Sequence, residues 1–488
     1  MSCVRRHIVA RLIFPLLLSA SLLLTAQPSR AGDHSRCPAD AIGIAPEQSL
    51  QAAVDAASAG ASFCLENGTH RMQAVRPKNG QRFYGDAHAV LNGSRLITRF
   101  IRDGAYWRAD GQEARSRRQG HCMKSFATCN FPETLFIDDQ PLTRVLQKDE
   151  IAPGRFFFDQ PAAKIYVADD PNGRRVELAT AAFAFAGNAS DVRISNVVIE
   201  KFASPAQRGA VDAQNGKRWI VEDCEVRWNS GAGISVGEGS VVQDCDIHHN
   251  GQIGVTGAGN RIRIERNRIS ANNTRGFSMG WEAGGAKISL ADGVTFRGNH
   301  VRDNRGPGLW CDGDCRNVVY EDNAVERNDE AGIYHEISFN AVIRNNVLRH
   351  NGAGSDGWFW GNDIIIAASE GVEVYDNSVT VSDGRCAIML IDQARRDNGR
   401  LYQTRNNSVH DNDFLFEGAP CAGGVSDVKA GEENAAIITE GNNRFDRNTY
   451  RVARGEASYR FVWGHDEGLD WNALRLRGLE PNGRLVLH

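Results

Sequence analysis

The chain of 488 residues has no surplus of positive charge. Its 56 Lys and Arg residues stand against 60 Asp and Glu residues, and the formal net charge is −4. Binding to the phosphate backbone of nucleic acids depends on clustered Lys and Arg side chains. We therefore expect no nucleic-acid partner.

The chain also lacks an apolar stretch long enough to cross a bilayer. The longest, residues 12–24, falls short of the ~20 residues that a spanning helix needs. Three arginines precede it and the small residues Ser29 and Ala31 follow it, which is typical of a signal peptide over residues 1–31. Cleavage would leave 457 residues with a net charge of −8. We expect a secreted or periplasmic protein without membrane contact; an uncleaved anchor is the alternative.

The composition excludes fibrous and disordered classes. With 50 Gly residues and 24% charged residues, the chain is neither collagen-like nor a coiled coil nor intrinsically disordered. A mature length of 457 residues is too long for one ordinary hydrophobic core. It suits one elongated repeat domain.

The cysteines are expected to form disulfides. Ten of the 11 cysteines follow the signal peptide, an even number in an oxidising compartment. A metal site at Cys311 and Cys315 would need a second ligand pair, and none lies nearby in the sequence. We therefore expect no metal and no other cofactor. Proximity in sequence suggests five pairs: Cys37–Cys64, Cys122–Cys129, Cys224–Cys245, Cys311–Cys315 and Cys386–Cys421.

A short phrase recurs from residue 190 onward. It reads Val221-Glu-Asp-Cys-Glu-Val226 early in the series and Tyr320-Glu-Asp-Asn-Ala-Val325 later. Its fourth positions are separated by 21, 22, 32, 24, 23, 31, 30 and 41 residues. A basic period of 21–24 residues with insertions is typical of a parallel β-solenoid. The fourth positions are Cys224, Cys245, Asn267, Asn299, Asn323, Asn346, Asn377, Asn407 and Asn448.

The Asn column predicts a ladder of turns. Asn tolerates a left-handed backbone, and its amide can bond to the Asn one coil away. Cys224 and Cys245 replace Asn on adjacent coils, whose spacing of ~4.8 Å suits a disulfide. Leucine-rich repeats share the period but need long helices and a Leu pattern that are absent from the sequence. We predict an all-β fold, a right-handed parallel β-helix.

Segments outside the repeat predict the other domains. Residues 48–58 form a short amphipathic pattern, expected to be a cap helix over the first coil. It belongs to an N-terminal cap and first coils over 32–99. Residues 100–180 break the period and are expected to form an inserted β-rich subdomain. The β-helix core is expected over 181–450 and a C-terminal cap over 451–488.

Two carboxylates occupy equivalent positions on consecutive coils. Asp312 lies 13 residues after Asn299, and Glu336 lies 13 residues after Asn323. Stacked strands are ~4.8 Å apart, and retaining glycosidases hold two carboxyl groups ~5–5.5 Å apart. Two carboxylates at this range resist joint ionisation, which disfavours a structural role. We predict a catalytic pair; two solvated surface acids are the alternative.

The roles within the pair can be assigned from the surroundings. Asp312, bracketed by the expected Cys311–Cys315 bridge, is predicted to be the nucleophile. Glu336 lies among apolar and aromatic residues and is predicted to be the general acid/base. Asp314 is a rival nucleophile, but it is out of register by two residues.

Further side chains are expected to contact a substrate. Counting 13 residues from Asn346 reaches Phe359 in an aromatic-rich segment, and aromatic faces stack on sugar rings. Lys287 is expected to bind a sugar hydroxyl or orient Asp312. His335 should point to the opposite face from Glu336 unless the strand bends. The predicted substrate-binding residues are Trp281, Glu282, Lys287, Trp310, His335, Trp358, Trp360 and Asp363.

Three motifs carry a family resemblance. They are Trp281-Glu-Ala-Gly-Gly-Ala-Lys287, Gly308-Leu-Trp-Cys-Asp312 and Gly332-Ile-Tyr-His-Glu336. Together they resemble secreted bacterial right-handed β-helix proteins. More distantly, the Asp and Glu pair is similar to the β-xylosidase family of glycoside hydrolases, built on a β-helix with an inserted β-sandwich. The resemblance implies a retaining mechanism with Asp312 as nucleophile and Glu336 as acid/base.

The sequence favours a retaining glycoside hydrolase that acts on an extracellular or envelope saccharide. A polysaccharide lyase or uronate epimerase is one alternative, with Lys287 as base and Asp312, Asp314 and Glu336 around Ca²⁺. The acidic balance disfavours uronate polymers, because their anionic chains would be repelled. A non-catalytic carbohydrate-binding or surface-adhesion protein is the third. All three predict a carbohydrate partner and leave the sugar, the linkage and the oligomeric state open.

Overall fold

The computed structural model describes residues 37–114, 117–355, 357–397, 399–456 and 458–488. The predicted signal peptide, residues 1–31, lies outside the described residues. The described chain is an all-β right-handed parallel β-helix, and the predicted fold class is confirmed. In these ranges, no helix combines the length and the apolar character needed to span a membrane.

Three long sheets, here called sheets A, B and C, run the length of the solenoid. Counted over the described residues, sheet A has 13 strands, sheet B has 13 and sheet C has 12. The strands of sheet A are Ile42–Ile44, Ser62–Leu65, Arg82–Gly85, Arg193–Ser195, Ile220–Glu222, Val241–Gln243, Arg263–Glu265, Thr295–Arg297, Arg316–Glu321, Phe339–Arg344, Glu370–Tyr375, Ser408–His410 and Arg444–Asp446. Those of sheet B are Gly68–Arg71, Ala89–Asn92, Val198–Glu200, Glu225–Arg227, Asp246–His248, Arg268–Ser270, His300–Arg302, Ala324–Glu326, Val347–Arg349, Ser378–Val381, Asp413–Phe416, Thr449–Val452 and Arg484–Leu487. Those of sheet C are Phe185–Ala186, Gly209–Asp212, Ala232–Val236, Ile253–Ala258, Gly284–Ser289, Leu309–Asp312, Ile333–Glu336, Ile364–Ala367, Ile388–Asp392, Gly423–Ser426, Phe461–Gly464 and Asp466–Leu469.

The core lies inside the coils and is built from columns of apolar side chains. Neighbouring strands pair parallel and in register, except the antiparallel last pair of sheet C, so equivalent residues stack from coil to coil. One such column in sheet A passes through Val242, Ile264, Phe296 and Tyr320, all fully buried. Because side chains alternate between the two faces of a strand, the intervening residues point outward.

The predicted Asn ladder is present on the turns between sheets A and B. The side-chain amide and the backbone N–H of Asn267 both donate to Asn299 Oδ1, at 3.1 and 3.0 Å. The pattern continues to Asn377, whose amide donates to Asn412 at 2.9 Å. The assignment of Asn407 to this ladder is therefore wrong. Asn407 precedes the sheet A strand Ser408–His410, whereas the ladder residue follows that strand.

A second ladder, which the repeat analysis did not predict, follows the turns between sheets B and C. Its Asn side chains bond in the same way from coil to coil, and its last acceptor is the carboxylate of Asp363. The first ladder also ends on a carboxylate, that of Glu480, which accepts from Asn448 at 2.7 Å. The Asn members of the second ladder are Asn229, Asn250, Asn272, Asn304, Asn328 and Asn351.

Residues 94–179 leave the coils and form two further sheets. One contains Ser94–Leu96, Leu135–Ile137, Gln140–Pro141 and Val176–Ala179, and the other contains Ile101–Asp103, Tyr106–Asp110, Thr143–Val145, Arg155–Asp159 and Lys164–Val167. These two sheets lie in the stretch for which the sequence predicts an inserted β-rich subdomain, residues 100–180. Short elements complete the chain: the helices Leu50–Ala56, Met279–Glu282, Ile437–Glu440 and Trp471–Leu476, the 3-10 turn Lys148–Glu150, and the hairpin Arg396–Asp397 and Arg400–Leu401.

Three of the five expected disulfides are confirmed: Cys37–Cys64, Cys122–Cys129 and Cys386–Cys421. Disulfides are typical of proteins that fold in an oxidising compartment.

The expected pairs Cys224–Cys245 and Cys311–Cys315 are wrong, because all four residues are free, buried thiols. Cys224 and Cys245 occupy ladder positions as separate donors, with their sulfurs 3.1 and 3.2 Å from the carbonyls of Glu222 and Gln243. The Cys315 thiol likewise donates to the Ile288 carbonyl at 3.3 Å.

Candidate active site

The two candidate catalytic carboxylates face outward from sheet C. In the strand Leu309–Asp312, Leu309 and Cys311 are fully buried, so Asp312 points away from the core. Asp312 pairs with Glu336 of the neighbouring parallel strand, so the two carboxylates share one face on adjacent strands. The equal offsets in the sequence therefore correspond to equal positions on consecutive coils.

An aromatic and cationic column lies beside this pair. Lys287, Trp310 and Tyr334 pair in register on three successive strands of sheet C. The Lys287 ammonium lies 3.6 Å from the centroid of the Trp310 ring. The rings of Trp310 and Tyr334 stack with centroids 5.3 Å apart. These contacts fix the positions of the three side chains that bond to the two carboxylates.

Lys287 holds Asp312. Its Nζ lies 2.8 Å from Asp312 Oδ2, and the side chains of Lys287 and Asp312 are 7% and 22% exposed. Lys287 also donates to the carbonyl of Trp281 at 3.3 Å, which fixes the ammonium from the other side. The position of Asp312 thus comes from strand register and this ion pair, and not from the expected Cys311–Cys315 bridge.

Glu336 is more deeply buried and has three donors. The Trp310 indole N–H donates to Glu336 Oε2 at 3.1 Å, Arg395 pairs with Oε1, and Tyr334 provides a further hydrogen bond. Burial raises the pKa of Glu336, and the charge of Asp312 raises it further, while Arg395 and Tyr334 oppose the rise. A carboxyl group whose pKa is raised in this way suits a general acid/base.

A cavity of about 490 Å³ opens over Glu336. This volume lies within the range of ~300–1,000 Å³ typical of small-ligand sites. Aromatic side chains of Trp310, Tyr334 and Trp360 line it together with Glu330 and Arg395. Asp312 pairs with Glu336 on the neighbouring strand but is not part of this lining.

Sequence reasoning missed Glu330 and Arg395. Glu330 lies in the turn before the strand Ile333–Glu336, and Arg395 lies beside the hairpin that begins at Arg396. Burial raises the pKa of Glu330 to about 7, and the charges of Glu336 and Asp329 add to the effect. Neither residue occupies a repeat position, so the period carried no information about them.

The rival nucleophile Asp314 lies outside the cavity lining. It has a left-handed backbone with φ of 57° in the turn after the strand Leu309–Asp312. Its carboxylate accepts from Arg400 at 3.3 Å, and Arg316 lies 3.9 Å away. Asp314 therefore faces a different set of cations from Asp312.

Trp281 and Glu282 lie on the short helix Met279–Glu282 next to the cavity. The Glu282 carboxylate accepts from Thr256 at 2.7 Å and from Gln207 at 2.8 Å. The Cys122–Cys129 loop of the insertion packs over this helix, with the rings of His121 and Trp281 5.4 Å apart. The insertion thus packs against this helix, whose Gly280 lines the cavity.

The aromatic-rich segment does not lie where counting placed it. Ala367, and not Phe359, is opposite Glu336, because the turn before the strand Ile364–Ala367 is longer on this coil. Trp360 nonetheless lines the cavity. Trp358 is 41% exposed, and its ring lies 5.9 Å from that of Trp360.

Two predicted substrate-binding residues face the interior instead, and those predictions are wrong. His335 is fully buried, and burial lowers its pKa to about 3. It alternates with Glu336 along a regular strand, so the strand does not bend to expose it. Asp363 is also fully buried and ends the second ladder by accepting from Asn351 at 2.7 Å.

Comparisons with known proteins agree with the fold. A family profile described as a right-handed beta helix region matches residues 209–379. No curated protein sequence matches the chain. The solved structure described as the complex structure of XylC with xylose is 14% identical, covers 90% of this chain and 82% of that chain, and has a TM-score of 0.61. The A-module of the Azotobacter vinelandii mannuronan C-5 epimerase AlgE6 is 13% identical, covers 93% and 98% of the two chains, and has a TM-score of 0.47. At 14% identity, the likeness to the XylC structure concerns the fold alone.

Proposed function

We propose that this protein is a retaining glycoside hydrolase that acts on an extracellular or envelope saccharide. One observation carries the proposal: Asp312 and Glu336 stand opposite each other on adjacent parallel strands beside an aromatic-lined cavity. Parallel strands are ~4.8 Å apart, close to the ~5–5.5 Å between the carboxyl groups of retaining enzymes.

The different surroundings of the two carboxyl groups support a division of labour. In the first step, Glu336 gives its proton to the leaving-group oxygen while the Asp312 carboxylate bonds to the anomeric carbon, which releases the first product. In the second step, Glu336 takes a proton from a water molecule. The water oxygen then bonds to the anomeric carbon and displaces Asp312, which returns both residues to their initial states.

The lyase alternative requires a free base and a cation site. Lys287, the candidate base, is already paired with Asp312 and packed on Trp310. Asp314, a candidate Ca²⁺ ligand, faces Arg400 and Arg316. Across the described ranges, no group of three or more His, Cys, Asp or Glu side chains has a metal-binding arrangement. These contacts favour hydrolysis.

Activity of the mature chain on nitrophenyl glycosides and polysaccharides tests the proposal. Xylosides come first in the panel, because the resemblance of the motifs implies a β-xylosidase. We expect sugar release by the wild type and a loss of about 10³-fold or more in kcat for Asp312→Asn and for Glu336→Gln.

Asp314→Asn is the matched control, because Asp314 lies two residues from Asp312 and faces other cations. It should retain wild-type activity. All variants should unfold at temperatures close to that of the wild type. Unchanged activity in both Asp312→Asn and Glu336→Gln would rule out the proposed mechanism. Product absorbance from an unsaturated uronate would point to a lyase instead.

A further inference from the structure

The cavity contains a third carboxyl group, that of Glu330, which the proposed mechanism does not use. Glu330 lies in the turn between the sheet B strand Ala324–Glu326 and the sheet C strand Ile333–Glu336. Its backbone N–H donates to the Gly306 carbonyl at 3.2 Å, which fixes the turn. The backbone at Glu330 therefore has a defined position in the wall of the cavity.

Unlike Asp312 and Glu336, Glu330 forms no ion pair with a Lys or Arg side chain in the described part of the chain. Asp312 pairs with Lys287, and Glu336 pairs with Arg395. Within the described part of the chain, the Glu330 carboxyl has no hydrogen bond and no ion pair with another side chain. The Glu330 side chain is partly exposed. Its carboxyl group is therefore free to bond to a molecule that enters the cavity.

The charges of Asp329 in the same turn and of Glu336 on the next strand favour the neutral form of Glu330. Tyr334, Arg395 and Asp427 also line the cavity. Arg395 is already bonded to Glu336, and Asp427 is exposed to solvent. Burial raises the pKa of Glu330 to about 7, so the group carries a proton below about pH 7.

A neutral carboxyl group has one O–H donor and a carbonyl acceptor. A sugar hydroxyl also donates and accepts, so the two groups are complementary. An ionised carboxylate offers acceptors only. The aromatic rings of Tyr334 and Trp360 line the same cavity and can stack on the apolar face of a sugar ring.

We propose that Glu330 is a substrate-binding residue whose carboxyl group forms a hydrogen bond with a hydroxyl of a neutral sugar in the cavity. The proposal rests on the proposed function, since it assigns the cavity to a saccharide. It adds a binding residue whose protonation state controls affinity. Affinity should fall as pH rises through about 7, because the donor is lost.

Tryptophan fluorescence provides a direct test, because Trp310 and Trp360 line the cavity. Xylose, glucose, galactose, arabinose and mannose are titrated from pH 5 to pH 9. The wild type should bind at least one of these sugars at pH 5 and about tenfold more weakly at pH 9. Glu330→Gln, whose neutral amide also donates, should bind with an affinity that does not change with pH.

Glu330→Ala should bind about tenfold more weakly at every pH below 7. Asp322→Asn is the control, because Asp322 is exposed and lies outside the cavity lining, and it should keep the wild-type pH dependence. Wild-type affinity in Glu330→Ala, or a pH dependence that persists in Glu330→Gln, would overturn the proposal. Failure of all five sugars to bind the wild type would overturn it as well.

Binding requires no hydrolysis, so the two proposals can fail separately. Sugar binding that depends on Glu330, in a chain that cleaves no glycoside, would support this inference and contradict the hydrolase. Hydrolysis that depends on Asp312 and Glu336 but is unaffected by Glu330→Ala would do the reverse.

Discussion

At the scale of single residues, each of the two candidate catalytic carboxylates forms an ion pair with a different cation. Lys287 is buried against Trp310 and positions Asp312, whereas Arg395 is 38% exposed and reaches Glu336 from the hairpin side. Both carboxylates can therefore remain close together on adjacent strands. Arg395 also lowers the pKa of Glu336 against the opposing effects of burial and Asp312.

Replacing Arg395 should change the pH dependence of activity. In Arg395→Met the positive charge is gone, so the pKa of Glu336 should rise further and the acid form should persist to higher pH. We expect the alkaline limb of kcat/KM to move up by roughly one pH unit, with a lower maximum. The check is a pH–rate profile of the wild type and the variant.

Arg395→Lys is the control, because it keeps the charge and should leave the limb near its wild-type position. An alkaline limb that stays in place or moves to lower pH in Arg395→Met would show that Glu336 is not the titrating acid.

At the scale of elements, the Asn ladders explain why the coils stack in register. Within a ladder, the side-chain amide of each Asn donates to the Asn on the next coil and accepts from the Asn on the preceding coil. The buried polar atoms of the turns are therefore hydrogen-bonded from coil to coil. Both ladders then end where a carboxylate replaces the amide, at Asp363 and Glu480. A carboxylate accepts the last hydrogen bond but is itself unfavourable in a buried position.

Replacing Asp363 by Asn should make the protein more stable at neutral and alkaline pH. Burial raises the pKa of Asp363 to about 7, so the folded state holds a proton that the unfolded state loses near pH 4. The stability that this proton contributes is complete below pH ~4 and is lost as pH rises to ~7. Asp363→Asn should gain a few kcal/mol relative to the wild type between pH 4 and pH 8.

Denaturant unfolding at pH 4 and pH 8 measures this difference. Asp40→Asn, at an exposed position, serves as the control and should follow the wild type at both values. A wild type and an Asp363→Asn variant whose stabilities stay parallel across this range would contradict the assignment of a buried, protonated Asp363.

The sequence predicts elements well where they obey the period and poorly where they depart from it. The ladder from Asn267 to Asn377 and the pairing of Asp312 with Glu336 follow from regular spacing. Asn407 was misassigned because a longer connection precedes it, and the same cause displaced Phe359. Cys224 and Cys245 satisfy the ladder as thiol donors, which spacing alone does not distinguish from a disulfide.

At the scale of the whole molecule, the solenoid supplies the distance between carboxylates, and irregular segments supply the cavity. Sheet C presents Asp312 and Glu336, while the turn at Glu330, the segment around Trp360 and the Arg395 side chain line the cavity beside them. These surrounding segments have no repeat, so their positions depend on tertiary packing. This is why Glu330 and Arg395 could not be identified from the sequence.

The most direct test of the account is to trap the covalent intermediate. The mature chain is incubated with a 2-deoxy-2-fluoro derivative of the glycoside that it cleaves fastest, and the labelled peptide is identified by mass spectrometry. If Asp312 is the nucleophile, one sugar should be attached per chain, on Asp312, and none should be attached to the Asp312→Asn variant. A sugar attached to Glu336 or Glu330, or inactivation without any attached sugar, would contradict it.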